Sequence, residues 1–205
     1  GKTCRFAELE TYGEGTEWQD GIFNNEAKRQ NNELSLSRGN ENSTYYFSFG
    51  HWEQEGIVST EISKYKRAKR RLNSTHNLKK WLTVGENIGY AHNESIGLGN
   101  TNSEFGGPLS SAINLDPITP VVITDPTVAG APPYSNNPVV RDAQGRPYGI
   151  SDIVQQEMLN PLAYAQTRLG NHGYADNIIG NVFAEIKPID GLTLRSTMGA
   201  KMAFY

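Results

Sequence analysis

The sequence predicts an all-β chain of antiparallel strands that run up and down in order. Its most informative stretch, residues 31–90, holds four segments in which apolar and polar side chains alternate. Short polar turns and longer polar loops join these segments in turn, so that every short turn falls at the same edge of the sheet. Two unlike faces, with all short turns at one edge, are typical of a membrane-spanning antiparallel β-barrel.

A period of two along the chain indicates each strand separately. The alternating segments are residues 34–37, 45–50, 64–75, 81–91, 177–186 and 192–200. Short turns are predicted at 38–42, 76–80 and 187–191, and in the first of them Gly39 and Asn40 accept positive φ at little cost. Six strands in three hairpins are fewer than the roughly eight that a closed barrel needs. We therefore expect the chain to be a part of a larger barrel.

Composition and charge argue against several other classes of protein. The chain has 205 residues, only 37% of them hydrophobic, yet its 10 Tyr, 7 Phe and 3 Trp are too many aromatics for a disordered chain. A net charge of −3 predicts no nucleic-acid partner. A single cysteine, Cys4, and scattered histidines predict no internal disulfide, metal site or cofactor. The sequence also lacks the apolar run that a transmembrane helix requires.

A long segment, residues 93–176, interrupts the alternation and carries most of the prolines. Loops of this length are usually functional, and loops on a rigid scaffold often carry recognition. One short helix is predicted within it at Ser151–Leu159, with Ser151 as N-cap.

An ordered series of short motifs extends along nearly the whole chain. The motifs are Glu17–Phe23, Leu34–Ser37, Tyr45–Gly50, Gln54–Val58, Arg71–Asn73, Lys80–Gly85, Asn160–Tyr164 and Gly180–Leu192. In this order they resemble the SusC/RagA family of TonB-dependent outer-membrane transporters. The family pattern differs at Glu86, where a small or apolar residue is usual.

The resemblance implies a plugged 22-stranded barrel in the bacterial outer membrane. It also implies a SusD-like surface lipoprotein as lid, TonB as energy source and import of oligosaccharides or peptides without catalysis. We expect residues 1–30 to be the end of a plug region and residues 31–92 to be the first four barrel strands. Residues 93–176 would then be a long extracellular loop, and residues 177–205 the next hairpin. No TonB box, complete plug or closing strand is recognisable, which fits a part of such a transporter.

Three groups of residues are candidates for contacts. A basic run is a candidate for lipopolysaccharide phosphates or an anionic ligand, although charge runs more often mark solvated faces: Lys64, Lys66, Arg67, Lys69, Arg70 and Arg71. Aromatic residues are candidates for the membrane interface, with a ligand platform as the alternative: Tyr45, Phe47, Phe49, Trp52, Trp81 and Tyr90. Residues of the long segment are candidates for lid or lumen contacts: Phe105, Pro108, Leu109, Pro117 and Pro120.

Two other functions stay open at this point. A soluble carbohydrate-binding β-sandwich would bury one face of each strand against a second sheet. A glycan-cleaving enzyme would need two carboxyl groups held across the scissile bond, and no spacing in the sequence indicates such a pair.

Overall fold

The computed structural model describes residues 13–97, 107–154 and 158–205, so that Cys4 and Phe105 lie outside the described residues. The chain divides into two compact units, each made of three segments. The strand unit is Ala27–Glu55, Lys64–Ile96 and His172–Tyr205. The connector unit is Gly1–Glu26, Gly56–Ser63 and Gly97–Asn171, the segments that precede or join strands.

The strand unit is one six-stranded antiparallel sheet in the order β1-β2-β3-β4-β5-β6. The strands are β1 (Arg29–Gly39), β2 (Ser43–Glu55), β3 (Lys64–Lys79), β4 (Leu82–Ile96), β5 (His172–Ile189) and β6 (Leu192–Phe204). The predicted fold class of consecutive up-and-down strands is confirmed. Short turns join β1–β2, β3–β4 and β5–β6 at one edge, and the connector segments leave from the other edge.

Local chemistry fixes the three short turns. The Asn40 side chain accepts hydrogen bonds from the backbone N–H groups of Asn42 and Ser43 at 2.9 and 2.7 Å, an Asx turn that closes the first hairpin. Gly191 adopts φ of 84°, a left-handed conformation that glycine takes without steric cost.

The second turn is tighter than the predicted 76–80, because β3 runs on to Lys79 and only Lys80 and Trp81 form the turn. Two bonds hold the extra residues in the ladder. Thr83 Oγ1 donates to Asn77 Oδ1 at 2.9 Å, and the Asn77 N–H donates to the Asn42 carbonyl at 2.7 Å. Asparagine favours turns only when its side chain bonds locally, and here it bonds across strands.

Short helices around a small core form the connector unit. They are α1 (Trp18–Ile22), α2 (Pro108–Asn114), α3 (Pro126–Ala129) and α4 (Pro161–Arg168), with a 3-10 turn at Thr60–Ile62. Trp18, Ile22, Ala112 and Leu115 form the buried cluster, and the indole N–H of Trp18 donates to the Asp116 carbonyl at 2.9 Å. No helix among the described residues is both long and apolar enough to cross a membrane.

The helix predicted at Ser151–Leu159 is not present in its described part. Ser151 Oγ does accept from the N–H groups of Ile153 and Val154, at 3.1 and 2.8 Å, as an N-cap would. The chain there forms bends, and residues 155–157 lie outside the described residues. The described part of the long segment holds three short helices instead of the one predicted, and α4 begins at a stronger signal, Asn160 followed by Pro161.

Asn160 connects α4 to the loops packed beside it. Its Oδ1 accepts from the N–H groups of Leu162 and Ala163 at 3.1 and 3.2 Å. Its Nδ2 donates to the carbonyls of Val121 and Gly149 at 3.0 and 3.2 Å. A single buried amide therefore satisfies two orphan donors of a helix and two loop carbonyls.

Asp116 gathers polar partners from two other places in the connector unit. Its carboxylate accepts from the Thr119 N–H at 2.8 Å, from Thr119 Oγ1 at 2.9 Å and from Ser151 Oγ. Burial pushes the pKa of Asp116 upward, but the hydrogen bonds from Ser151 and Thr119 outweigh burial, and the pKa lies below its ordinary value. The ionised carboxylate is therefore the form that this arrangement stabilises.

We expect Asn160→Ala to destabilise the connector unit by about 2–3 kcal/mol, because it removes a helix cap and leaves buried carbonyls unpaired. Hydrogen exchange in the whole protein should accelerate at the Leu162 and Ala163 amides by about tenfold or more. The exposed Asn171→Ala is the matched control, since Asn171 contributes only a backbone bond. Unchanged exchange at both amides would contradict the bracing role of Asn160.

We expect the stability of the connector unit to depend on pH through Asp116. A carboxyl group with a lowered folded pKa stabilises fully above its unfolded pKa of about 3.9, and this stabilisation is lost as the pH falls through the lower folded value. Asp116→Asn should lower protection of residues 110–125 from hydrogen exchange at pH 7 and flatten its pH dependence, after correction for intrinsic rates. Asp190→Asn, in an exposed turn, should change neither.

Candidate functional site

One face of the sheet is apolar and exposed. Register places Leu36, Phe47, Leu72 and Ile88 side by side across β1 to β4, with Leu36 60% exposed. β5 and β6 add Val182, Met198 and Met202 to the same exposed face. We call these even-numbered positions of β1 and β3–β6, with the odd-numbered positions of β2, the apolar face. So large an exposed apolar surface needs a nonaqueous neighbour.

The apolar part of this face has the height of a membrane band. It extends from the row of Leu82 to the row of Tyr90, about 27 Å along a strand at roughly 3.4 Å per residue. A tilt of about 40° reduces this to roughly 20 Å, close to the band of about 25 Å in outer-membrane barrels. The face therefore fits hydrocarbon over most of its height.

Beyond Tyr90 the same face becomes charged, and these charges are paired across strands. Lys66 lies 3.3 Å from Glu53 and Lys64 lies 3.8 Å from Glu55. We call these side chains, with His92, Glu94, His172 and Asp176, the charged margin. His92 Nδ1 lies 2.8 Å from Asp176, His172 Nδ1 lies 3.0 Å from Glu94, and the Tyr90 hydroxyl donates to Asp176 at 2.6 Å. Sequence reasoning did not identify the histidine pairs, because partners so distant in sequence require the register.

Glu86 lies on the apolar face, as the sequence predicts, and interrupts its series of apolar side chains. Ser74 Oγ donates to Glu86 Oε1 at 2.5 Å, and the Ser74 side chain also lies 2.7 Å from His76 Nε2. His76 Nδ1 lies 3.0 Å from Ser43 Oγ. Because the single Ser74 proton goes to Glu86, His76 Nε2 must donate to Ser74. The Glu86 carboxylate is thus the last member of a series of hydrogen-bonded side chains. Ser74, in the middle of this series, is buried, with 4% of its surface exposed.

The opposite face is polar, and strand alternation divides the predicted basic run between the two faces. We call the odd-numbered positions of β1 and β3–β6, with the even-numbered positions of β2, the polar face. Lys64, Lys66 and Arg70 belong to the apolar face and its charged margin, where Arg70 lies over the Tyr90 ring at 5.7 Å. The polar face carries Arg67, Lys69 and Arg71. The run is therefore two groups of cations in different surroundings.

The predicted aromatic group needs one correction. Tyr45, Phe47 and Phe49 lie on the apolar face in register with Tyr90 and its neighbours, but Trp52 lies on the polar face. β2 pairs without a register shift, so a residue of even number there must point away from Phe49. Arg29 covers the Trp52 ring at 4.0 Å. Trp81 lies in the second short turn and is 54% exposed.

The lid candidates of the long segment differ in exposure. Pro108 is fully buried at the start of α2, and Leu109 beside it is half-buried. Pro117 and Pro120 are exposed, whereas Phe105 lies outside the described residues. Of this group, Pro117 and Pro120 are the residues available to a partner.

No acid or histidine cluster of the described residues has the make-up of a metal site. Asp125 and Asp142 bond locally instead. Asp125 caps α3 by accepting from the Thr127 N–H at 2.7 Å, and Asp142 accepts from Arg146 Nε at 2.8 Å. These carboxylates stabilise turns.

Comparison with known proteins finds a similar curated protein and similar solved structures. The chain is 28% identical over 205 residues to TonB-dependent receptor P3 of Formosa agariphila, covering 96% of this chain and 18% of that protein. Its fold matches solved structures of the RagAB peptide transporter (TM-score 0.63, 21% identity) and of the RagAB peptide importer in the open-open state (TM-score 0.61, 22% identity). Each match covers 93% of this chain and 19% of the other. No family model matches the chain.

These matches agree with the geometry of the sheet. The chain spans about a fifth of the length of the proteins it matches, and its six strands follow one another as barrel strands do. The matched proteins are a receptor and transporters, not enzymes. The comparisons support the resemblance found in the sequence: the chain is similar over nearly its whole length to a TonB-dependent receptor, and it shares its fold with one part of the RagAB structures.

Proposed function

We propose that the strand unit is part of the barrel wall of an outer-membrane nutrient importer. The observation that carries the proposal is the difference between its faces. The apolar face has the height of a membrane band and contacts lipid, and the polar face lines the lumen through which substrate passes. The charged margin then lies above the hydrocarbon, at the level of the outer leaflet.

The importer works with a SusD-like surface lipoprotein and takes energy from TonB, through a segment other than the residues described here. Two findings support this part of the proposal: the chain is similar to a TonB-dependent receptor, and it shares its fold with a peptide importer. The substrate is an oligosaccharide or a peptide. Residues 1–30 correspond to the end of the plug region, and the exposed Pro117 and Pro120 of the extracellular segment 93–176 contact the lid.

The cations of the charged margin suit a second role. Lys64 and Lys66 lie above the apolar band, and Arg70 lies at its last row, close to the level where lipopolysaccharide carries its phosphates. Pairing with Glu55 and Glu53 neutralises the two lysines. We infer that phosphate contacts there exchange with these ion pairs and anchor the barrel at the outer rim.

A soluble carbohydrate-binding β-sandwich is the less favoured function. A sandwich needs two packed sheets, and all six strands of the described residues belong to one sheet.

The native product should be found in the outer membrane at a size far above the 22.7 kDa of this chain, since the matched proteins are about five times longer. An antibody to the chain, applied to outer-membrane, inner-membrane and soluble fractions, tests this. A surface lipoprotein should be recovered with the product from solubilised outer membranes. A soluble product of 22.7 kDa would refute the importer and restore the β-sandwich.

Adjacent residues of β1 test which face meets lipid. Leu36→Arg places a charge in the middle of the apolar face, which costs about 2–4 kcal/mol at the centre of a bilayer. We expect this variant to reduce the amount of heat-modifiable, folded barrel in outer membranes. Ser37→Arg, one residue along on the polar face, is the matched control and should assemble normally. Failure of the Ser37 variant alone would reverse the assignment of faces.

A further inference from the structure

Three cations of β3 on the polar face are unpaired, unlike other cations of the same strand. Within the described residues, Arg67, Lys69 and Arg71 have no ion pair, side-chain hydrogen bond or aromatic partner, and Arg67 Nε is buried without an acceptor. Lys64 and Lys66, a few residues earlier, each face a glutamate. Unused donors on a cation carry a cost that a bound anion removes.

Small residues flank these cations on both neighbouring strands. Lys69 lies between Gly50 and Ala91, and Arg71 lies between Ser48 and Gly89. A Cβ at Gly50 would meet only the Lys69 Cβ at 3.9 Å and a carbonyl at 4.0 Å, so no side chain fills this space. The result is a trough on the polar face with cations about 6.7 Å apart, the repeat of alternate residues in a strand.

The trough continues into a depression beside Arg67. This depression has a volume of about 330 Å³, and only polar-face residues line it, among them Asn31, Glu33, Trp52, Gln54, Tyr65 and Arg67. Tyr65 is held by a hydrogen bond from its hydroxyl to Asn93 Oδ1 at 2.8 Å. Amide groups, held aromatic rings and free cations therefore occur together.

Acids of the polar face do not neutralise the trough. Glu185 lies 3.7 Å from Lys187 and 3.8 Å from Arg195, so it already has cationic neighbours. Glu33 itself lines the depression, but Gly50 separates it from Lys69 in the register and no ion pair joins it to Arg67 or Lys69. The trough keeps an excess of positive charge.

We propose that this trough binds an oligosaccharide that carries repeated carboxylate or sulfate groups, an inference that rests on the proposed import function. The cations bind the acidic groups, and the amides and aromatic rings of the depression contact the sugar. A peptide fits less well. β3 is paired on both sides from Lys64 to His76, so a peptide cannot add as a strand beside the trough and use its main-chain hydrogen bonds.

The test uses the whole receptor, purified from outer membranes with its lipoprotein. Binding of an oligogalacturonate hexasaccharide, a sulfated carrageenan hexasaccharide, a neutral maltohexaose and a hexaglutamate peptide is measured by calorimetry. We expect at least one acidic sugar to bind about tenfold or more tightly than maltohexaose, with affinity falling as salt is raised. The two acidic sugars distinguish carboxylate from sulfate as the preferred group.

Variants identify the trough as the site. The triple variant R67Q/K69Q/R71Q should lose about tenfold or more of the affinity for the acidic sugar, while K69R should keep it, because a cation remains. K79Q/K80Q, which changes two exposed lysines beside the second short turn, is the matched control and should bind as the unmodified receptor does. Heat-modifiable mobility establishes that each variant is folded, and if the triple variant fails to assemble, K69Q replaces it.

Three results would overturn the inference: no acidic sugar bound more tightly than maltohexaose, hexaglutamate bound more tightly than either acidic sugar, or equal loss in K79Q/K80Q and the triple variant. Failure of the proposed import function is a separate result. It would be seen in the membrane fractionation, as absence of the receptor from the outer membrane, and does not depend on which sugars bind.

Discussion

An unbroken register across the sheet is the constraint on which the other features depend. β2 and β3 pair from Ser43 with His76 to Glu55 with Lys64 without a shift. A slip of one residue would move Arg67, Lys69 and Arg71 to the lipid side, since alternate residues change faces. Each such cation would cost about 2–4 kcal/mol at the middle of a bilayer. In the described sheet, register shifts occur only close to the short turns. A shift there changes the face of only the few residues between it and the turn.

Polar groups on the two faces are satisfied in different ways, because the faces have different surroundings. On the apolar face, Glu86 is tolerated because Ser74, His76 and Ser43 complete a chain of hydrogen bonds behind it. A buried carboxylate without such partners would be strongly unfavourable. Water can satisfy a polar group on the lumen side, so selection for closed networks is weaker there. Groups left open on that face are consequently available to a ligand.

Much of this arrangement could be predicted from the sequence, and what could not be predicted needed contacts between distant residues. The period of two identified both faces and all three hairpins. The same period also divides the basic run between the faces, because odd-numbered and even-numbered residues from Lys64 to Arg71 lie on opposite sides of the strand. The pairing of His92 with Asp176, 84 residues away, needs the register of β4 with β5. The helix predicted after Ser151 failed because a capping serine bonds equally well to the N–H groups of a turn.

The two groups of cations on β3 carry the same charge and differ in whether a carboxylate lies beside them. A charge near lipid is best neutralised close by, because lipid does not screen it, and Glu53 and Glu55 do this across the strand. Cations in the wall of a lumen have a different effect. A channel with walls of low dielectric concentrates the field of unneutralised charges and raises the local concentration of oppositely charged solutes. In the proposed lumen, the unpaired Arg67, Lys69 and Arg71 would therefore favour anions before any direct contact is made. Direct contacts would then select the anions whose remaining atoms fit the amides and rings beside Arg67.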